Sequence, residues 1–114
     1  MTLQEVIDEL ELKVLTKKAA LDQEIAPLGY ASDLLSCVMA GASPQGVWVT
    51  LQSHLNIVAV ASVKELKAVI ITEGAAPDRD TIARADEEGI VLLSTERDSF
   101  HAVGKLWELG FRAE

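Results

Sequence analysis

Two stretches in the second half of the chain have no polar face. Residues 68–72 read Ala68-Val69-Ile70-Ile71-Thr72, and residues 90–93 read Ile90-Val91-Leu92-Leu93. A strand on a half-solvated sheet alternates apolar and polar residues, whereas a strand covered on both faces is apolar throughout. Each run is followed by a segment with helical signals. Pro77 fits the first turn of a helix ending at Glu88-Gly89, and Thr95 with Asp98 marks the start of another. Strands of this kind alternating with helices require a sheet with helices on both sides. The expected fold is therefore α/β and three-layered, with a mixed or mainly parallel sheet of about five strands.

The remaining elements follow from caps and periodicity. Thr2 and Glu5 have capping-box spacing, and Leu3, Val6, Ile7 and Leu10 recur at helical intervals. Leu12, Val14 and Leu15 suggest a strand, residues 17–20 a connector, and residues 21–25 a second short strand. Pro27 and Gly29 interrupt the pattern. Asp33 is expected to cap a helix over residues 34–40 that stops at Gly41. A strand over residues 47–51 and an apolar helix over residues 55–61 come next. In the last helix, Phe100, Val103, Leu106 and Trp107 are expected to form the buried stripe, and Phe111 to fold back on Leu106 after Gly110. With 114 residues and no dividing linker, residues 1–114 read as one domain.

The net charge of −8 disfavours nucleic acid and anionic membranes as partners. No apolar run approaches the roughly 20 residues of a membrane-spanning helix, and the N-terminus lacks signal-peptide features. The single cysteine, Cys37, fits a reducing, cytoplasmic setting, and its apolar surroundings suggest core packing. Two histidines and one cysteine on separate segments offer no metal-ligand spacing, and neither a GxxxxGK[ST] nor a GxGxxG loop occurs. No metal or cofactor is expected.

The candidate site lies where strands end. Ligands of open parallel sheets bind beyond the carboxyl ends of the strands, where helix N-termini offer free N–H donors. Thr50, Gln52, Ser53, His54, Asn56, Thr72, Ser94 and Thr95 all fall at such ends, and Arg97 is the adjacent cation. Thr50, Gln52, His54, Asn56, Thr72 and Ser94 are expected around one cleft that accepts a small anionic metabolite or nucleotide. The competing explanation is local: Ser53 with Asn56, and Thr95 with Asp98, would simply cap helices. His54 is the one residue on which a small enzyme could be built. No nucleophile, base and orienting partner can be named with it, so a non-enzymatic role is preferred.

The order of motifs resembles the DRTGG domain family in its small stand-alone form. The matching residues are Leu21-Asp22, Tyr30 with Ser32 to Ser36 and Val38 to Ala40, the block Trp48 to Gln52 with His54 and Asn56 to Ala61, Pro77-Asp78, and Leu93-Ser94-Thr95. The chain departs from the name-giving signature. Gln23 stands where an arginine is expected, and Ala26-Pro27-Leu28 replace the threonine and paired glycines. The resemblance implies a compact α/β domain like the N-terminal domain of HPr kinase, or like those of some phosphotransacetylases and CBS-containing pyrophosphatases. It implies a regulatory or ligand-sensing module without catalysis. Homodimerisation is expected from that resemblance and from the apolar helices at residues 34–40 and 55–61. A pure protein-interaction and dimerisation scaffold is the alternative.

Overall fold

The computed structural model describes residues 1–18 and 20–114; Ala19, within the expected connector, lies outside the described residues. The elements in chain order are α1 (Leu3–Leu10), β1 (Lys13–Val14), β2 (Gly29–Ala31), α2 (Leu35–Gly41), β3 (Val47–Thr50), α3 (Asn56–Val63), β4 (Ala68–Ile71), α4 (Arg79–Glu88), β5 (Val91–Ser94) and α5 (Ser99–Glu108). One five-stranded sheet has the order β1-β5-β4-β3-β2. β2, β3, β4 and β5 are parallel, and β1 pairs antiparallel with β5. The sheet is mixed and mainly parallel, with helices on both faces.

The apolar strands divide their side chains between two cores with a period of two, as the pleat requires. Val47, Val49, Ala68, Ile70, Val91 and Leu93 face α1 and α5. Trp48, Val69, Ile71 and Leu92 face the opposite way, against Val38 of α2, Ile57, Val58 and Ala61 of α3, and Ala85 of α4. β3 and β4 are buried along their whole length. At the N-terminus the Thr2–Glu5 capping box forms, and it sets the rotation that buries Leu3, Val6, Ile7 and Leu10.

Four local expectations are corrected. Residues 21–25 form no strand, and only Glu24 makes an isolated bridge, to Thr2. Asp33 does not cap α2; Leu34 holds the cap position without a side-chain bond. α2 also buries little, since Val38 is its only buried residue, and Cys37 is half-buried. Finally, α5 is turned away from its expected stripe. Its buried residues are Ala102 and Leu106, while Phe100, Val103 and Trp107 are exposed. The cause lies at its first turn. Asp98, not Thr95, caps the helix by accepting the His101 N–H at 2.8 Å. The Ser99 hydroxyl is hydrogen-bonded to the buried Thr72 hydroxyl at 2.8 Å. Ser99 thus faces the sheet, and Ala102 and Leu106 follow it at i+3 and i+7. Phe100, Val103 and Trp107 sit one residue further round, about 100° away. The C-terminal end behaves as expected: Gly110 has φ +101°, and Phe111 folds back so that its N–H reaches the Leu106 carbonyl at 3.0 Å.

Candidate functional site

Parallel register brings the strand ends into one row. Thr50 is level with Ile71, and Ile71 with Ser94. One residue further on, Thr72 N–H donates to the Thr50 carbonyl at 2.9 Å, and Thr95 N–H to the Ile71 carbonyl at 3.0 Å. Thr50, Thr72 and Ser94 therefore share the carboxyl edge of the sheet.

Their side chains do different work along that edge. Thr50 is fully buried, and its hydroxyl donates to Asp33 Oδ1 at 2.8 Å while accepting the Gln52 N–H at 3.1 Å. The same Asp33 oxygen accepts the Leu51 N–H at 2.8 Å, and the Asp33 carbonyl accepts Gln52 Nε2 at 3.0 Å. Trp48 Nε1 donates to the Ser32 carbonyl at 2.8 Å. The polar run after β3 is thus a clasp that fastens the end of β2 to the end of β3. Thr72 is equally buried, and its hydroxyl is held by Ser99. Ser53 caps nothing: α3 begins with no side-chain cap, and His54 Nδ1 accepts the Asn56 N–H at 3.2 Å. His54 and Asn56 are exposed. Asn56 borders a separate groove between α3 and α4, which also touches Ser62, Arg84 and Glu88.

Another recess on this edge lies between the β4–α4 and β5–α5 loops and has a volume of about 420 Å³. Ser94, Thr95, Glu96 and Arg97 form one wall, and residues 74–77 the other. Leu10 at the end of α1, Glu11, Lys13 of β1, Leu15 and, from α4, Ile82 complete the lining. Of the residues expected at the site, Ser94, Thr95 and Arg97 line this cleft; Thr50, Gln52, Ser53, His54, Asn56 and Thr72 do not. Its walls are tied together by main-chain bonds, Glu73 N–H to the Arg97 carbonyl at 2.9 Å and Gly74 N–H to the Thr95 carbonyl at 3.0 Å. Gly74 has φ +70°, which suits a residue without Cβ.

Helix N-termini contribute little to an anion here, because the chain fills them itself. Asp78 caps α4 by accepting the Thr81 N–H at 2.9 Å and the Thr81 hydroxyl at 2.8 Å. Those bonds, chiefly the one from the Thr81 N–H, hold the Asp78 carboxyl below its ordinary value. Asp98 occupies the start of α5 in the same way. The cations of the cleft are Lys13 and Arg97, which share the lining with the carboxylates Glu11 and Glu96. Among the described residues neither cation forms an ion pair with a carboxylate. Arg97 Nη1 lies 3.3 Å from His101 Nε2. Sequence reasoning missed Lys13, Glu11 and Leu10. Their presence depends on β1 pairing antiparallel to β5, which brings Lys13 opposite Ser94. The available signal was one charged residue inside Leu12-Lys13-Val14-Leu15. No group of three His, Cys, Asp or Glu side chains suited to a metal gathers among the described residues.

A five-stranded, mainly parallel sheet with helices on both faces and a cleft at its carboxyl edge defines an open α/β fold. Within that fold class, the DRTGG domain family model matches residues 5–109, and the chain belongs to that family. A search of curated proteins finds no match. Among solved structures, the chain is similar to the CBS and DRTGG domains of the regulatory region of Clostridium perfringens pyrophosphatase, crystallised with its activator diadenosine tetraphosphate. The TM-score is 0.69 at 17% identity, over 92% of this chain and 45% of that one. The likeness is one of fold, and this chain spans less than half of the pyrophosphatase chain. Among the described residues, no helix is long and apolar enough to cross a membrane.

Proposed function

We propose that the chain is a non-catalytic regulatory module of the cytoplasm that senses a small anionic metabolite or nucleotide and works as a homodimer. One observation carries the ligand reading. Two cations that form no ion pair among the described residues, Lys13 and Arg97, line a cleft with Ser94 and Thr95 hydroxyls and the apolar side chains of Leu10, Leu15 and Ile82. Its size falls within the roughly 300–1,000 Å³ of small-molecule sites. The apolar side chains suit the body of a ligand, the cations suit its phosphate or carboxylate, and Glu11 and Glu96 suit hydroxyl or amino donors. With a net charge of −8, long-range attraction of an anion is weak, so recognition rests on these short contacts. The related pyrophosphatase region was crystallised with a dinucleoside polyphosphate, which puts nucleotides first among the compounds to test. A non-catalytic role is supported by His54, which is exposed and whose Nδ1 is occupied by the Asn56 N–H.

The test is thermal-shift screening with nucleotides and phosphorylated metabolites, in wild type and in a Lys13→Ala, Arg97→Ala double variant. A ligand that binds only the folded state at a hundredfold excess over its Kd stabilises it by about 2.7 kcal/mol. The reading requires such a rise in wild type and its loss in the double variant. A rise that persists in the variant puts the ligand elsewhere.

The second reading, a protein-interaction scaffold without a ligand, is favoured by exposed apolar side chains. Leu34, Met39, Leu55 and Val63 lie on the α2–α3 side, and Phe100, Val103 and Trp107 on α5. Such patches mark contacts with other proteins.

A further inference from the structure

The apolar side chains of α5 are arranged as a protrusion and a recess. Phe100 is 90% exposed near the start of the helix. Val103 follows at 38% and Trp107 at 57%, so the three form an i, i+3, i+7 line on the solvent side. Beside the far end of that line, Val103, Leu106 and Trp107 join Tyr30, Val49 and Phe111 around an apolar groove of about 320 Å³. Arg112 lies over the Trp107 ring at 3.6 Å from its centre. Gly104 sits in the middle of the helix with open space above it. Glycine disfavours a helix interior and nothing inside the fold crowds this position, so close approach of another helix would give it a use.

We infer that α5 is the seam of the homodimer, with two copies of α5 packed antiparallel about a two-fold axis beside Val103 and Gly104. The inference rests on the dimeric reading above and names the surface that makes it. A two-fold interface needs a surface complementary to itself, so that residue i meets j and j meets i. In the antiparallel arrangement each Phe100 enters the groove beside the partner's Trp107, and both grooves are filled at once. The charges agree. Glu96 and Arg97 lie at the Phe100 end, Glu108 and Arg112 at the groove end, and all four are exposed. Turning one helix end for end sets Glu96 against the Arg112 position, and Arg97 stays with the cleft it lines. The area is also of the right order. Large aromatic side chains bury about 150–250 Å² each, so the three apolar residues offer roughly 400 Å² per copy. Two copies supply about half of a standard interface of roughly 1,600 Å², and the groove walls and charged rim extend the contact. The groove between α3 and α4, beside exposed Leu55 and Val63, is lined by Asn56, Ser62, Arg84 and Glu88 as well as apolar residues, so it matches an apolar knob less well than the α5 groove does.

The experiment is light scattering of wild type, Phe100→Asp and Val63→Asp at about 50 µM, where an interface of micromolar Kd is assembled. Far-UV circular dichroism confirms folding, which neither exposed site should disturb. The expected result is twice the 12.3 kDa chain mass for wild type and Val63→Asp, and monomer mass for Phe100→Asp. Trp107 fluorescence should shift to the blue as wild type is concentrated through its Kd, and stay constant in Phe100→Asp. A monomeric wild type overturns the dimeric reading itself. A dimer that survives Phe100→Asp overturns only the α5 seam, and its loss in Val63→Asp moves the interface to the α2–α3 face.

Discussion

Replacing Asp33 by alanine tests whether the polar run after β3 is a structural clasp. The change removes one carboxylate oxygen that accepts two donors at 2.8 Å, the Thr50 hydroxyl and the Leu51 N–H. Thr50 is fully buried, so its hydroxyl loses its acceptor without gaining water. Hydrogen bonds to charged groups contribute about 1.5–3 kcal/mol each. Here two donors share one oxygen of an exposed residue, so about 2 kcal/mol for the pair is the reasonable figure. Unfolding entropy near the midpoint is about 2.1 cal/mol/K per residue, so over 114 residues the loss should lower Tm by roughly 8 °C. Asp33→Asn keeps an acceptor but not the charge, and should lose about half as much, since charge assistance roughly doubles such bonds. Calorimetry of the three proteins at neutral pH decides the matter. If Asp33→Ala melts within about 2 °C of wild type, the clasp contributes little stability, well below the value estimated from the bonds, and the polar run needs another explanation.

Other consequences are open to the same kind of measurement. Gly74→Ala should lower stability by about 1 kcal/mol by chemical denaturation, because φ +70° penalises any residue with a Cβ and that carbon would come within 2.5 Å of a Glu96 carboxylate oxygen. Asp86 is held below its ordinary value first by the Lys17 N–H at 2.9 Å and then by the Lys18 N–H at 3.0 Å. A depressed carboxyl stabilises the fold fully above its unfolded value, about 3.9, and loses that contribution as pH falls through the lower folded value. Wild type should therefore lose more Tm than Asp86→Asn between about pH 6 and pH 3, as followed by circular dichroism. Ile70→Ala, at the centre of the sheet and fully buried, should cost about 2–5 kcal/mol in urea unfolding.

Much of the fold was legible because burial on both faces leaves a clear trace. Residues 68–71 and 91–93 are apolar without a break, and they form the inner strands of the sheet. The Thr2–Glu5 box was equally plain, since a cap is a local interaction between residues three apart. What failed depended on contacts distant in sequence. Asp33 before an apolar helix looks like a cap, but its carboxylate is used 17 residues away by Thr50. The spacing of Phe100, Val103 and Trp107 is that of a buried stripe, yet Ser99 and Thr72 fix the helix with Ala102 and Leu106 inward. Lys13 enters the candidate cleft only because β1 joins the sheet beside β5 in the antiparallel sense. Nothing within residues 12–15 encodes that neighbour. The row of strand ends was readable in sequence, whereas the division of its hydroxyls between internal bonds and the cleft was not.

The central claim is that an anionic ligand is recognised in the cleft between Lys13 and Arg97. It is tested most directly by two-dimensional 15N–1H NMR during titration with a nucleotide selected by thermal shift. Amide resonances of Lys13, Gly74, Thr95, Glu96 and Arg97 should move together along one saturable curve, while those of His54 and Asn56 stay in place. Shifts centred on residues 54–63, or none at saturating ligand in any part of the protein, would contradict the claim.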